Sequence, residues 1–139
     1  MVQSIKKRTG YRFLRERKNG YRMIKSEHQV TYEEHGEALE IRVSGEIDHH
    51  CAVAVRAGID DVLAARRPPR VFLELSGVSF MDSSGLGLIM GRYSLMRKIG
   101  GELSVMNPNK RIIDIFELAG LQRMIKIEKQ TKKKVEERK

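Results

Sequence analysis

The sequence predicts an α/β fold, in which an initial hairpin leads into alternating helices and strands and gives a mixed β-sheet with helices packed on it. Three observations predict it. Apolar residues alternate with polar ones in two runs ahead of residue 48, helical spacing replaces that alternation in three later segments, and short runs of strand formers separate those segments. The order is ββαβαβαβ, and strands joined through helices within one sheet run parallel, with right-handed crossovers.

In chain order, Val30 and Tyr32 and then Leu39, Ile41 and Val43 mark two half-buried strands with His35-Gly36-Glu37 as the turn between them. Gly45-Glu46-Ile47-Asp48 ends the second strand, and Asp48 is of the right type to cap the segment that follows. A helix carries Val53, Ile59, Val62 and Leu63 and stops at Pro68-Pro69. Val71 to Leu75 is a short central strand, and Leu86, Ile89, Met90, Tyr93 and Met96 place one buried helix face over about Ser84 to Lys98. Gly100-Gly101 ends that helix and Leu103 and Val105 form the next strand. Pro108 opens a helix with Ile112, Ile113, Ile115, Phe116 and Leu118, closed by Gly120, and Met124 to Ile127 is a short last strand.

The 139 residues carry a formal net charge of +9, which invites a nucleic-acid or anionic-membrane reading. The charge is unevenly placed. Residues 1–28 hold nine basic against two acidic side chains, and residues 129–139 six against two; residues 29–128 hold twelve against fourteen. The expected organisation is therefore a basic N-terminal extension without order (1–28), a slightly acidic domain (29–128) and a polar basic tail (129–139). In the extension Tyr11, Phe13, Leu14 and Tyr21 interleave with the arginines, a pattern that can fold on an acidic surface; for the domain itself nucleic acid is not an expected partner. Met23 opens a much less basic stretch and is a second candidate start. The longest run without a charged residue, Ser83 to Gly91, is nine residues, far short of the ~20 a membrane-spanning helix needs. Cys51 is the single cysteine, which excludes a disulfide framework and a thiolate zinc knuckle and fits a reducing, cytoplasmic setting.

One stretch concentrates chemistry: Phe80-Met81-Asp82-Ser83-Ser84-Gly85-Leu86-Gly87-Leu88-Ile89-Met90-Gly91-Arg92-Tyr93, at a strand-to-helix junction. Asp82 and Ser83 are N-cap types, and the unpaired N–H groups of a first helical turn favour anions. Gly85 and Gly87 cost about 1 kcal/mol each relative to alanine in a helix, so two in one turn imply close approach, either by the domain's own sheet or by a partner. Gly85, Gly87 and Gly91 also approximate a dinucleotide fingerprint, but they fall inside the helix, no acidic residue ends the next strand, and no Walker lysine is present. His49, His50 and Cys51 are consecutive and cannot converge on one metal, and no metal is expected. Ser83, His49 or His50, and Asp48 supply the residue types of a catalytic triad without a G-x-S-x-G elbow.

Taken together, Gly45-Glu46-Ile47-Asp48-His49-His50 and Phe80 through Gly87, continuing to Gly91-Arg92-Tyr93, closely resemble the anti-sigma factor antagonists of the STAS family, and among them the sporulation-type anti-sigma-F antagonists. The resemblance covers about residues 29–128. It implies a small cytoplasmic phosphoprotein with a mixed sheet flanked by helices and no catalysis of its own. It further implies that the unphosphorylated form binds an anti-sigma factor that is also a serine kinase and frees a sigma factor to activate transcription. Phosphorylation of the first serine of Asp-Ser-Ser-Gly, here Ser83, ends binding, and a serine phosphatase resets the switch. The implied partner surface is Asp48, Asp82, Ser83, Ser84, Gly85, Leu86 and Gly87, with ATP or ADP and Mg²⁺ on the kinase and direct nucleotide binding by this chain an open point. Two readings of other classes stay beside it: a nucleotide-binding protein or NTPase using the Gly-rich helix start, and a nucleic-acid-binding adaptor acting through its basic tails. Departing from the family pattern, Gln130 to Lys139 is polar with Val135 its only aliphatic residue, where a C-terminal helix with an apolar face is usual.

Overall fold

A computed structural model describes residues 30–129 in full and the backbone of residues 4–8, 11–16 and 20–25. The predicted order appears as strands β4 (Val30–His35) and β5 (Ala38–Ile47), helix α1 (Ala52–Arg66), β6 (Arg70–Met81), α2 (Ser83–Lys98), β7 (Glu102–Met106), α3 (Lys110–Ala119) and β8 (Lys126–Glu128). Three further strands precede them, β1 (Ser4–Arg8), β2 (Tyr11–Glu16) and β3 (Gly20–Lys25), forming an antiparallel sheet of their own. This differs from the unordered extension expected there: Tyr11, Phe13 and then Tyr21, Met23 recur with the β period of two, a signal outweighed by the density of arginine. Apart from Lys129, the expected C-terminal tail lies outside the described residues.

The main sheet has the order β4-β5-β6-β7-β8, with β4 antiparallel to β5 and every later pair parallel. Period-2 alternation explains its two faces. Val30 and Tyr32, Leu39, Ile41 and Val43, Val71, Leu73 and Leu75, and Leu103 and Val105 are all buried and join one apolar cluster with residues from all three helices. Glu33, Glu40, Arg42 and Phe72 occupy the alternate positions and point away from that cluster.

Helix α1 adds Ala52, Val55, Ile59, Val62 and Leu63 to the core, and α2 adds Gly85, Leu88, Ile89 and Met96. Two apolar residues lie off these faces: Val53 of α1 is 61% exposed, and Met90, expected on the buried face of α2, is 39% exposed. Each directly follows a core residue and is turned about 100° from it around the helix, which carries it off the stripe. The end of α1 is set by Arg67 in the left-handed region (φ 46°), its N–H bonded to Leu63 O, before Pro68-Pro69 forbid continuation. Helix α3 starts at Lys110, two residues beyond Pro108. Its N-cap Asn109 accepts from Ile112 N and donates from Nδ2 to Val78 O, tying the helix to β6. Strand β6 runs to Met81, well past the five residues predicted, and this extension carries the chain to the start of α2. No helix among the described residues is long and apolar enough to cross a membrane.

Candidate functional site

The two motifs meet because their strands are parallel neighbours. Ile47, the last residue of β5, is in register with Met81, the last of β6, so the β5–α1 and β6–α2 loops emerge side by side at the carboxyl end of the sheet. In parallel α/β sheets this is the end where loops assemble sites. The loops are bonded to each other, Asp82 N–H donating to Ile47 O at 3.2 Å.

In the β6–α2 loop, Asp82 is the N-cap of α2. Its backbone is extended (φ −105°, ψ −167°), and its Oδ1 accepts from Ser84 N at 2.8 Å. Ser83 is therefore the first helical residue, one earlier than the spacing predicts, and it is exposed. A serine here has its hydroxyl beside the unpaired first-turn N–H groups and open to solvent.

The glycines that follow divide into two kinds. Gly85 is buried, and a Cβ there would lie 2.3 Å from Met81 Cγ and 3.3 Å from Ile47 Cγ2, so its bare backbone lets α2 settle against the ends of β5 and β6. Gly85 is thus packed inside and does not belong to the exposed partner surface expected of it. At Gly87 and Gly91 a Cβ would meet nothing within 4 Å, so both leave space outside the helix. They floor an open groove of about 420 Å³ between α1 and α2, lined also by His49, Val53, Arg56, Ser84 and Arg92. Leu86 is partly buried against the core.

In the β5–α1 loop, Asp48 closes a turn ahead of the helix. Its Oδ1 accepts from His50 N (2.9 Å) and Cys51 N (3.3 Å), while its carbonyl oxygen accepts from Ala52 N. The helix proper starts at Ala52 with Cys51 as N-cap residue, so Asp48 caps the preceding turn and not, as predicted, the helix itself. Partial desolvation acts to raise the Asp48 carboxyl, but those two N–H bonds and the nearby His50 and His49 outweigh it and hold the group below its ordinary value. His49 and His50 lie with ring centroids 4.0 Å apart and their planes tilted by 36°, and each faces a carboxylate: His49 Nδ1 to Asp82 Oδ2 and His50 Nδ1 to Asp48 Oδ2, both 3.8 Å. Cys51 donates from Sγ to Glu46 O, and burial, with the Asp48 charge, pushes its thiol up.

The structure therefore brings together Asp48, Asp82, Ser83, Ser84 and Gly87, gives His49 and Arg92 of the two motifs places beside them, His49 facing Asp82 and Arg92 lining the groove, and adds Arg56, which sequence reasoning passed over, as a second basic wall. Arg92 Nε lies 2.9 Å from Asp60 Oδ1, a charge contact joining α2 to α1. Burial raises Asp60 and lowers Arg92, each opposed by the charge of the other.

Other chemistries find little support. Among the described residues no hydrogen bond joins Ser83 to a histidine, as a nucleophilic triad requires. Gly85, Gly87 and Gly91 all lie within α2, leaving no glycine turn ahead of the helix to cradle a pyrophosphate. Elsewhere, Glu33, His35 and Glu40 cluster across β4 and β5, where His35 Nε2 bridges the two carboxylates and Arg42 also pairs with Glu40.

Known proteins share this arrangement of sequence and fold. The family profile described as "STAS domain" matches residues 29–137. An anti-sigma F factor antagonist from Paenibacillus polymyxa is 38% identical over 99 residues, covering 71% of this chain and 85% of that protein. An anti-sigma-B factor antagonist from Bacillus subtilis (strain 168) is 34% identical over 89 residues, covering 64% of this chain and 80% of the other. Among solved structures, the anti-sigma factor antagonist SpoIIAA in its unphosphorylated form superimposes with a TM-score of 0.65 at 28% identity, over 78% of this chain and 94% of that one. The phosphorylated form of the Bacillus cell fate determinant SpoIIAA gives 0.61 at the same identity, over 78% and 97%.

Proposed function

Because this chain belongs to the STAS domain family and, within it, to the anti-sigma factor antagonists, we propose that it is a partner-switching regulator whose state is written on Ser83. In this reading the unphosphorylated protein binds an anti-sigma factor that is also a serine kinase, and the sigma factor is released to direct transcription in the cytoplasm. The observation that carries it is the exposed Ser83 hydroxyl at the first position of α2, beside the capping carboxylate of Asp82. Relatives named antagonists of anti-sigma F and anti-sigma-B factors, and a structural relative solved both with and without phosphate, support it.

The chemistry asks little of this chain. Ser83 Oγ forms a bond to the γ-phosphorus of ATP on the kinase as the bond to ADP breaks, and the hydroxyl proton passes to a base on the kinase. Mg²⁺ and the cationic groups that stabilise the transferring phosphoryl group belong to the kinase, so Ser83 need only be presented. The chain is in this sense a substrate, of the kinase and of a resetting serine phosphatase, and not an enzyme.

Once attached, the phosphate meets two opposing effects. The N-terminus of α2 favours it by about 0.3–1 kcal/mol, up to ~2 if partly buried. Asp82 opposes it: for a charge of about −2 at ~5 Å, repulsion is roughly 1.7 kcal/mol at the dielectric of water and ~6.6 at an effective value of 20. Repulsion therefore grows as a partner excludes water, and phosphorylation weakens binding most strongly in the bound complex. Each 1.4 kcal/mol is about tenfold in affinity.

The test is incubation with candidate anti-sigma kinases and ATP, followed by phosphosite mapping. One phosphate on Ser83, absent from Ser83→Ala, is expected; labelling of Ser83→Ala at the wild-type rate overturns the assignment.

A further inference from the structure

The geometry points to His49 as a positioning residue for the phosphate on Ser83, its imidazolium closing over the dianion from the β5–α1 loop. The inference deepens the reading of Ser83 as the switch and gives the paired loops a reason to touch. Asp82 lies between the two groups. Its Oδ1 is held by Ser84 N at 2.8 Å, and its Oδ2 faces His49 Nδ1 at 3.8 Å, so the ring already attends the negative charge next to which the phosphate is added. His49 and Ser84 line the same groove, which places the ring along the first turn of α2. The ring is 70% exposed and no hydrogen bond among the described residues fixes it, so it can turn from a carboxylate with charge −1 to a phosphate of about −2.

Groups of both signs surround the ring. His49 sees Asp82 from α2, Asp48 from its own loop, the tilted His50 ring at 4.0 Å, and Arg56 and Arg92 across the groove. His50 Nδ1 has its nearest carboxylate oxygen on Asp48 at 3.8 Å, whereas that of His49 is on Asp82. A phosphomonoester loses its second proton near pH 6, and a cation beside it favours that loss. The imidazolium therefore stabilises the dianion against Asp82 and extends the charged form of the switch to lower pH.

To test it, phosphoserine is installed at position 83 of the full chain by genetic code expansion, which bypasses the kinase. The ³¹P resonance is then titrated in wild type, His49→Gln, His50→Gln and His49→Lys. The phosphate midpoint should rise by about 0.5–1 pH unit in His49→Gln. His50→Gln should move it much less, and His49→Lys, which keeps a cation, should restore it. The proposal is overturned if His49→Gln titrates like wild type, if His50→Gln shifts it equally, or if His49→Lys fails to restore it. These outcomes are independent of whether a kinase selects Ser83, which the labelling experiment decides on its own.

Discussion

Asp82 N–H donates to Ile47 O, one loop of the site thereby hanging from the end of the strand that leads into the other. The pairing of Ile47 with Met81 in the parallel register of β5 and β6 sets this contact, and the burial of Gly85 against both residues locks α2 over it.

The two glycines of the first turn should respond to alanine in opposite directions. Gly85→Ala drives a methyl into Met81, itself 1% exposed, and should destabilise the fold by about 1–3 kcal/mol despite the better helix propensity of alanine. Gly87→Ala meets open space and should stabilise by roughly 0.5–1 kcal/mol. Urea unfolding midpoints of the two variants, which should fall on either side of wild type, provide the check.

Removing the cap at Asp82 separates its structural role from its electrostatic one. Asp82→Ala should cost about 1 kcal/mol of stability through loss of the bond from Ser84 N, whereas Asp82→Asn keeps an acceptor oxygen and should cost less. With phosphate on Ser83, Asp82→Asn removes the principal repulsion, so the affinity lost on phosphorylation should be several-fold smaller than in wild type. Calorimetric titration of both forms against the partner measures that difference.

Asp48 gives the fold a specific acid sensitivity. Its carboxyl lies below the usual 3.8 in the folded chain, because bonds from His50 N and Cys51 N, together with the charge of the two histidines, outweigh the desolvation that opposes them. A group lowered on folding contributes stability that is present above its unfolded value and is lost as pH falls through its folded value. Denaturation curves taken between about pH 5 and 2 should therefore be shallower in pH for Asp48→Asn than for wild type, with the two converging at the acid end. Equal slopes would assign the acid sensitivity to other carboxylates.

Much of this was legible in the sequence. The alternation of Val30, Tyr32, Leu39, Ile41 and Val43 reports a sheet with one buried face, and the breaks at Pro68-Pro69 and Gly120 are local chemistry, so the element order follows from near neighbours along the chain. The Asp-Ser-Ser-Gly junction was legible for the same reason, since a cap and its helix are consecutive. What escaped was whatever depends on distance in sequence. Whether Gly85 faces the sheet or a partner is decided by Met81 and Ile47, the second of which arrives from another strand. The pairing of His49 with Asp82 follows only from the register of β5 and β6. Val53 and Met90 look like core residues by type, and only the angular position of each on its helix puts them outside.

The bond from Asp82 N–H to Ile47 O makes the presentation of Ser83 conditional on the finished fold. Every residue of the Phe80–Gly87 motif is contiguous, yet the strap that presents it comes from β5, on the far side of the α1 crossover. A peptide carrying the motif alone keeps the cap residue but lacks the tether from β5 that the intact domain offers. A nascent or misfolded chain shares that lack.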